Sequence, residues 1–159
     1  MRTVKLLSIL LTIIFLNSSF KPANEVTWLG FNDGYALAKK KHKIMLVDVY
    51  TDWCGWCKRM DRDTYEKPEI MAMLNKDFVA IKFNPEIPNV MYTFEGKQYN
   101  GQQLAAVISN NQLNGYPTTI FMYPRDKKMN VISGYYDAPR FKGVLESIVK
   151  EFTPKKKGK

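Results

Sequence analysis

The sequence predicts one α/β domain in which short buried strands alternate with helices. Of its 159 residues, 45% are hydrophobic and 25% are charged, which is typical of a globular domain and unlike a disordered or collagen-like chain. Two apolar runs, Ile44–Tyr50 and Phe78–Phe83, are typical of strands buried on both faces. The stretch Phe141–Phe152 has apolar residues at helical spacing. The only long uncharged apolar run, residues 6–16, is too short to cross a bilayer, which excludes a polytopic membrane protein.

Caps and breakers place the elements of the first half of the domain. Asn32 is a suitable N-cap, and Pro68 both ends one helix and can begin the next. The predicted elements are a helix from Asn32 to about Lys41, the strand Ile44–Tyr50, a helix opening at residues 53–57, a helix from Pro68 to about Asn75, and the strand Phe78–Phe83.

Turn residues and caps likewise divide the second half. Pro85 and Pro88 break the chain before a loosely alternating segment, and Asp137 is an N-cap with Pro139 in the first helical turn. The predicted elements are a hairpin at Val90–Tyr99 turning at Glu95 and Gly96, a helix at Gln102–Leu113, strands at Thr118–Tyr123 and Asn130–Tyr135, and a final helix from Asp137 to Phe152.

The N-terminus has the order of a secretory signal peptide. Arg2 and Lys5 precede the apolar run, and small polar residues follow it up to Ser19. We therefore expect residues 1–19 to be a signal peptide, residues 20–25 a linker, and the location to be periplasmic or secreted in a bacterium. Asn17 stands where a small residue usually precedes the cleavage site, so an uncleaved anchor, with membrane association, remains the alternative.

Positive charge is concentrated at the two ends of the chain. Arg2, Lys5 and the four lysines of the tail at residues 154–159 supply six of the nine net charges, which leaves +3 for the body. The other dense basic cluster, Lys39–Lys43, has the pattern of a solvated helix end. A nucleic-acid partner is therefore not expected, because it would require a basic stripe interleaved with aromatic residues.

Cys54 and Cys57 form a Cys-x-x-Cys pair at the start of a helix that follows a buried strand. Backbone N–H groups at a helix start stabilise a thiolate, which makes Cys54 the candidate nucleophile. Cys57, one turn later, is placed to attack a mixed disulfide on Cys54 and release the partner as a dithiol.

Two other interpretations of this pair are weaker. A structural zinc site requires four ligands, and beside the two thiols the chain offers one distant histidine, His42, so no metal is expected. A structural disulfide that closes so short a loop adds little stability. The sequence therefore favours a redox-active disulfide between Cys54 and Cys57.

Two segments resemble the thioredoxin-like superfamily. Residues 47–58, Val-Asp-Val-Tyr-Thr-Asp-Trp-Cys-Gly-Trp-Cys-Lys, are similar to its active-site strand and helix start, and Gly115–Thr118 resembles its cis-proline loop. The Trp-Cys-Gly-Trp-Cys run is similar to that of secreted bacterial thioredoxin-like proteins. The resemblance implies a thioredoxin fold over residues 26–153: a central mixed β-sheet flanked by helices, with an extra helix after the active-site helix and an insertion before the cis-proline loop.

The resemblance also implies roles for an acid and a base. Asp48 stands in the middle of an apolar strand, where an unpaired carboxylate is unfavourable, and it matches the acid that takes the proton of the second cysteine. We expect burial to raise the pKa of Asp48. Lys82 matches the lysine that partners this acid from the next strand, the alternative being that it merely emerges at a strand end.

Five further residues are assigned around the cysteines. A cis bond at Pro117 would turn the backbone of Tyr116 toward the cysteines, where it can pair with an extended substrate strand. The resemblance implies that Trp53 packs beside the active-site turn, which is compatible with a core position, and that Gly55 belongs to the same turn. Trp56 stands where thioredoxin has proline, and it either contacts the substrate or shields the disulfide.

In the insertion, Tyr92, Phe94 and Tyr99 cover a sheet edge, the interpretation we favour, or line a partner groove.

Together these residues predict an exported thiol–disulfide oxidoreductase that reduces or isomerises protein disulfides without a cofactor. Its partners would be protein disulfide substrates and an envelope thiol that donates electrons. Two alternatives remain: a peptide-binding module with a structural disulfide, and a client-specific reductase in cytochrome or envelope maturation.

Overall fold

A computed structural model of the protein describes residues 25–125 and 128–152. The strands are β1 (Trp28–Leu29), β2 (Ile44–Val49), β3 (Phe78–Phe83), β4 (Tyr92–Phe94), β5 (Lys97–Tyr99), β6 (Thr118–Tyr123) and β7 (Lys128–Ser133). The helices are α1 (Phe31–Lys41), α2 (Gly55–Met60), α3 (Pro68–Asp77), α4 (Gly101–Ile108) and α5 (Ala138–Phe152), with a π-helical segment at Asp61–Tyr65 after α2. The predicted signal peptide, the linker up to residue 24 and the basic tail lie outside the described residues.

Five strands form a mixed sheet in the order β1-β3-β2-β6-β7, and β4 pairs with β5 in a separate hairpin. The pairs β1–β3 and β3–β2 are parallel, whereas β2–β6 and β6–β7 are antiparallel. Strand β2 is therefore central, and every one of its residues is buried. This sheet with flanking helices confirms the predicted fold class. Across the described ranges, no helix combines the length and apolarity needed to span a membrane.

Side chains of β2 alternate between two cores on the two faces of the sheet, as the period of a strand requires. Leu46 belongs to the core that includes Phe141 of α5, and Val47 belongs to the core that includes Phe31 of α1. The central strand is thus held from both sides. Its carboxyl end, where the chain leaves for Cys54, has a fixed position.

The insertion between β3 and α4 packs its aromatic rings inward. Tyr92 and Phe94 are buried and lie edge-on to Phe31, with ring centroids 6.1 and 6.2 Å away. Tyr99 is half-buried against the same core. These rings therefore pack against the core beside α1, which favours the covering role over a partner groove.

Two predicted helix boundaries are wrong. Gly30, not Asn32, precedes α1, and the Asn32 side chain instead accepts a hydrogen bond from the Thr93 N–H at 2.9 Å, tying α1 to the hairpin. Helix α4 ends at Ile108, because Asn110 and Asn111 have left-handed backbones with φ of 52° and 59°.

Candidate active site

The two cysteines are joined by a disulfide at the start of α2, with Cα atoms 5.3 Å apart. Cys54 is the N-cap of α2, and its Sγ accepts a hydrogen bond from the Cys57 N–H at 3.1 Å. Both cysteines are buried. An N–H group directed at a sulfur in this way favours the thiolate over the thiol.

Asp48 lies in the middle of β2, in register with Lys82 on β3 and Thr119 on β6. Its side chain is buried, and Lys82 Nζ donates a hydrogen bond to its Oδ2 at 2.6 Å. Lys82 also donates to the carboxylate of Asp61. The structure thus brings Asp48 and Lys82 together and adds a second carboxylate, so that Lys82 bridges a buried acid and a half-exposed one.

Burial raises the pKa of Asp48, and the charge of Lys82 opposes this rise without cancelling it. For Lys82, burial lowers the pKa, but the carboxylates of Asp48 and Asp61 together raise it above its usual value, so the ammonium stays charged. Oδ1 of Asp48 has no hydrogen-bond partner within the described part of the chain. That oxygen can therefore take up a proton.

The π-helical segment after α2 widens the helix directly behind the cysteines. It places Asp61 against Lys82 and buries Tyr65, whose ring packs on Phe141 at a centroid distance of 5.4 Å. An open cavity of about 540 Å³ borders Asp61, Tyr65 and Lys82. Lys82 and Asp61 are therefore accessible from this cavity.

The peptide bond between Tyr116 and Pro117 is cis. The carbonyl of Pro117 accepts a hydrogen bond from the Gly134 N–H at 2.8 Å, and Thr118, the next residue, is in register with Val49 at the end of β2. Within the described ranges, neither the N–H nor the C=O of Tyr116 has a hydrogen-bond partner. This backbone is free to pair with another chain.

Trp53 lies on the surface and not in the core, with 68% of its residue area exposed. Its indole Nε1 donates a hydrogen bond to Glu86 Oε2 at 2.8 Å, and its ring lies edge-on to Tyr116 at 5.7 Å. Trp53 therefore connects the active-site turn to both the insertion loop and the cis-proline loop. Gly55 is the first residue of α2, with open space around its Cα.

Trp56 is 54% exposed and pairs with Tyr135, the ring centroids being 5.5 Å apart. The Arg59 guanidinium lies 5.1 Å from the Trp56 ring and 5.0 Å from the Tyr135 ring. Arg59 Nε also contacts Asp63 Oδ2 at 3.2 Å. Trp56 is consequently held in place by a cation and a second ring. Neither of these two contacts of Trp56 is predicted by the sequence.

The cysteines, the buried acid and the free backbone beside the cis-proline define a thiol–disulfide oxidoreductase of the thioredoxin fold. A model of a thioredoxin-like DsbH family, described as a protein of unknown function, DUF255, matches residues 15–158. The chain belongs to this family.

The chain is also similar in sequence to a curated relative and in fold to solved structures. The chain is 25% identical over 116 residues to the thiol:disulfide interchange protein DsbD of Photorhabdus laumondii, covering 72% of this chain and 18% of that relative. A thioredoxin from Thermus thermophilus superposes with a TM-score of 0.62 at 20% identity, covering 78% of this chain and 87% of its own. A DsbH oxidoreductase superposes with a TM-score of 0.59 at 16% identity, covering 79% and 85%. The chain thus spans less than a fifth of the curated relative's length.

Replacing Asp48 by Asn should stabilise the protein more at neutral pH than in acid. The pKa of Asp48 is raised in the folded state, so the folded chain holds this proton more tightly than the unfolded chain, in which the pKa of an aspartate is about 3.9. The protonated Asp48 carboxyl therefore contributes stability below the unfolded pKa. This stability is lost as the pH rises through the pKa of Asp48 in the folded state. Denaturant unfolding of both proteins between pH 3 and 8, a range about these titrations, measures the difference.

Asp63→Asn is the matched control, because the arginine partners of Asp63 lower its pKa. The ionised Asp63 carboxylate stabilises the folded protein above the unfolded pKa, and this stabilisation is lost as the pH falls through the folded pKa. The Asp63→Asn variant should therefore be less stable than the wild type at neutral pH and equally stable in acid. If Asp48→Asn followed the same trend as Asp63→Asn, Asp48 would be a stabilised ion and not a desolvated acid.

Proposed function

We propose that this protein is an exported reductase or isomerase of protein disulfides that cycles Cys54 and Cys57 between dithiol and disulfide. The observation that carries the proposal is the Cys54–Cys57 disulfide at the start of α2, with the Cys57 N–H directed at the Cys54 sulfur. Membership of the family and the likeness to DsbD proteins support the same chemistry.

In the first step, the Cys54 thiolate attacks one sulfur of a substrate disulfide. A mixed disulfide forms on Cys54, and the other substrate sulfur leaves as a thiolate. The free N–H and C=O of Tyr116 hold the substrate backbone as an added strand, while Trp56 contacts the substrate beside its cysteine. Trp53 and Gly55 keep the turn open to the substrate.

In the second step, Cys57 resolves the mixed disulfide. Asp48 accepts the proton of the Cys57 thiol, and the resulting thiolate attacks the Cys54 sulfur, releasing the second substrate thiolate. The substrate gains two electrons and the protein becomes the disulfide. Lys82 keeps Asp48 available as a base, because its charge limits the rise of the Asp48 pKa. An envelope thiol donor then restores the dithiol.

Single-turnover mixing with a disulfide-bonded peptide tests this sequence of steps. We expect the reduced protein to release both peptide thiols and to form its own disulfide, as read by mass after acid quenching. Cys57→Ser should stop at a mixed disulfide on Cys54. Formation of that adduct on Cys57 of the wild-type protein would reverse the assigned roles, and no adduct on either cysteine would overturn the proposed function.

We also propose that export removes the first 19 residues, because Arg2 and Lys5, the apolar run and Ser18–Ser19 have the order of a cleaved signal peptide. Intact mass of the protein recovered from a bacterial envelope should correspond to a chain beginning near Phe20. Recovery of the full-length mass from the membrane fraction would establish the anchor instead.

A further inference from the structure

The surface around the cysteines carries opposite charges on its two flanks. Trp53 precedes Cys54 and its indole is bonded to Glu86, while Trp56 follows Cys54 and its ring is stacked with Arg59. We define the acidic side as Trp53, Glu86 and Asp52, and the basic side as Trp56, Arg59, Lys58 and Arg62. The side chains of both sides are exposed.

On the acidic side, the Glu86 carboxylate accepts a hydrogen bond from the indole N–H of Trp53, a partner that carries no positive charge. Asp52, adjacent to Trp53, adds a second exposed carboxylate. Trp53 lies edge-on to Tyr116, whose backbone is free to pair with a substrate. The negative charge therefore borders the predicted path of the substrate backbone.

On the basic side, two arginines share a single carboxylate. Arg59 contacts Asp63 at 3.2 Å and Arg62 contacts it at 2.9 Å, which leaves one net positive charge, and the exposed Lys58 adds another. The Trp56 and Tyr135 rings hold the Arg59 guanidinium in a fixed position. Tyr135 follows Gly134, whose N–H is bonded to the Pro117 carbonyl, so this charge also borders the cis-proline loop.

We infer that the site selects client segments whose reactive cysteine has an acidic residue on one side and a basic residue on the other. In an extended strand, residues two positions either side of the cysteine point to the same face as the cysteine. The client carboxylate then meets the basic side and the client cation meets the acidic side. This inference rests on the proposed function, since it concerns the segment that is bound to Cys54.

Two peptides of identical composition test the inference: acetyl-Glu-Ser-Cys-Ser-Lys-amide and acetyl-Lys-Ser-Cys-Ser-Glu-amide. The two peptides have the same net charge but the opposite order of charges. Whichever direction the bound strand runs, one peptide places its Glu at the basic side and its Lys at the acidic side. Both compete for Cys54 of the Cys57→Ser variant in a buffer of reduced and oxidised glutathione, in which oxidised glutathione accepts the two electrons released by each mixed disulfide. Mass spectrometry gives the ratio of the two mixed disulfides. We expect a ratio of about three to ten at low salt, which falls toward one as salt screens the charges.

Arg59→Met and Glu86→Gln should each reduce that ratio, and the two substitutions together should bring it close to one. Lys97→Met, an equivalent loss of charge on the hairpin strand β5, should leave it unchanged. A ratio of one in the protein without these substitutions, or a ratio that Arg59→Met and Glu86→Gln leave intact, would overturn the inference alone. If Cys54 forms no mixed disulfide with either peptide, the proposed function fails together with it.

Discussion

Cys54→Ser should lower the rate of protein-disulfide reduction by about 10³-fold or more, because the substitution removes the sulfur that attacks the substrate. The hydroxyl of serine has no comparable nucleophilicity at neutral pH. Reduction of insulin with dithiothreitol as the electron donor, followed by the turbidity of the released chain, gives the rate. Wild-type and variant proteins should be compared at equal concentration and corrected for the reaction of dithiothreitol alone.

Cys57→Ser is the matched variant, since it also removes one sulfur from the same buried pair. It should lose turnover but retain a single rapid reaction that leaves one substrate half on Cys54. Similar residual turnover in the two variants, with no adduct in either, would show that the cysteines do not have separate roles.

Gly101→Ala should cost the protein about 2–3 kcal/mol of unfolding free energy, the upper part of the usual range for overpacking. A Cβ on Gly101 would lie 2.2 Å from the carbonyl oxygen of Pro85, which is backbone and cannot rotate away. Urea unfolding of the oxidised proteins measures the loss. Since Pro85 precedes Glu86, the same displacement should weaken the contact between Glu86 and Trp53, with a change in tryptophan fluorescence.

Gly143→Ala is the control for the glycine prediction. Gly143 is an exposed residue of α5, and no atom outside its own helix backbone lies within 4 Å of the position that a Cβ would take. Alanine there should therefore stabilise the protein by about 0.5–1 kcal/mol. Equal stability changes of the same sign in both variants would contradict the close approach of α4 to Pro85.

Burial decides how well the sequence predicts each strand. The bounds of β3 and β6 are predicted to the residue, because both are apolar runs limited by turn residues. Edge strand β7 lies two residues earlier than predicted, since its half-exposed residues give a weaker pattern. Strand β1 is missed, because two residues carry no periodicity.

The site follows the same logic. Local sequence patterns identify Cys54, Asp48 and Pro117, so the sequence predicts that these residues form the site. Contacts between distant segments cannot be predicted from such patterns. The hydrogen bond from Trp53 to Glu86 and the contact of Arg59 with the Tyr135 ring form only when the loops fold together. The bridge from Lys82 to Asp61 required both the strand register and the π-helical widening of the helix.

The charges near Cys54 predict a reducing disulfide. Arg59, the nearest arginine to the cysteines in sequence, is engaged by two rings and by Asp63, which limits its effect on a Cys54 thiolate. Lys58 also favours a thiolate, whereas Asp48, Asp52 and Asp61, close to Cys54 in the sequence, disfavour negative charge on its sulfur. Since each additional stabilisation of the thiolate makes a disulfide more oxidising, by about 30 mV per 1.4 kcal/mol, weak stabilisation leaves the dithiol a good electron donor.

The reduction potential of the Cys54–Cys57 pair tests the proposal of a disulfide reductase most directly. The protein is equilibrated in glutathione and dithiothreitol buffers of defined potential, alkylated in acid, and its reduced and oxidised masses are quantified. We expect a potential near that of thioredoxin, about −270 mV. A value near about −120 mV, as in dedicated disulfide donors, would contradict the direction of electron flow proposed for this site.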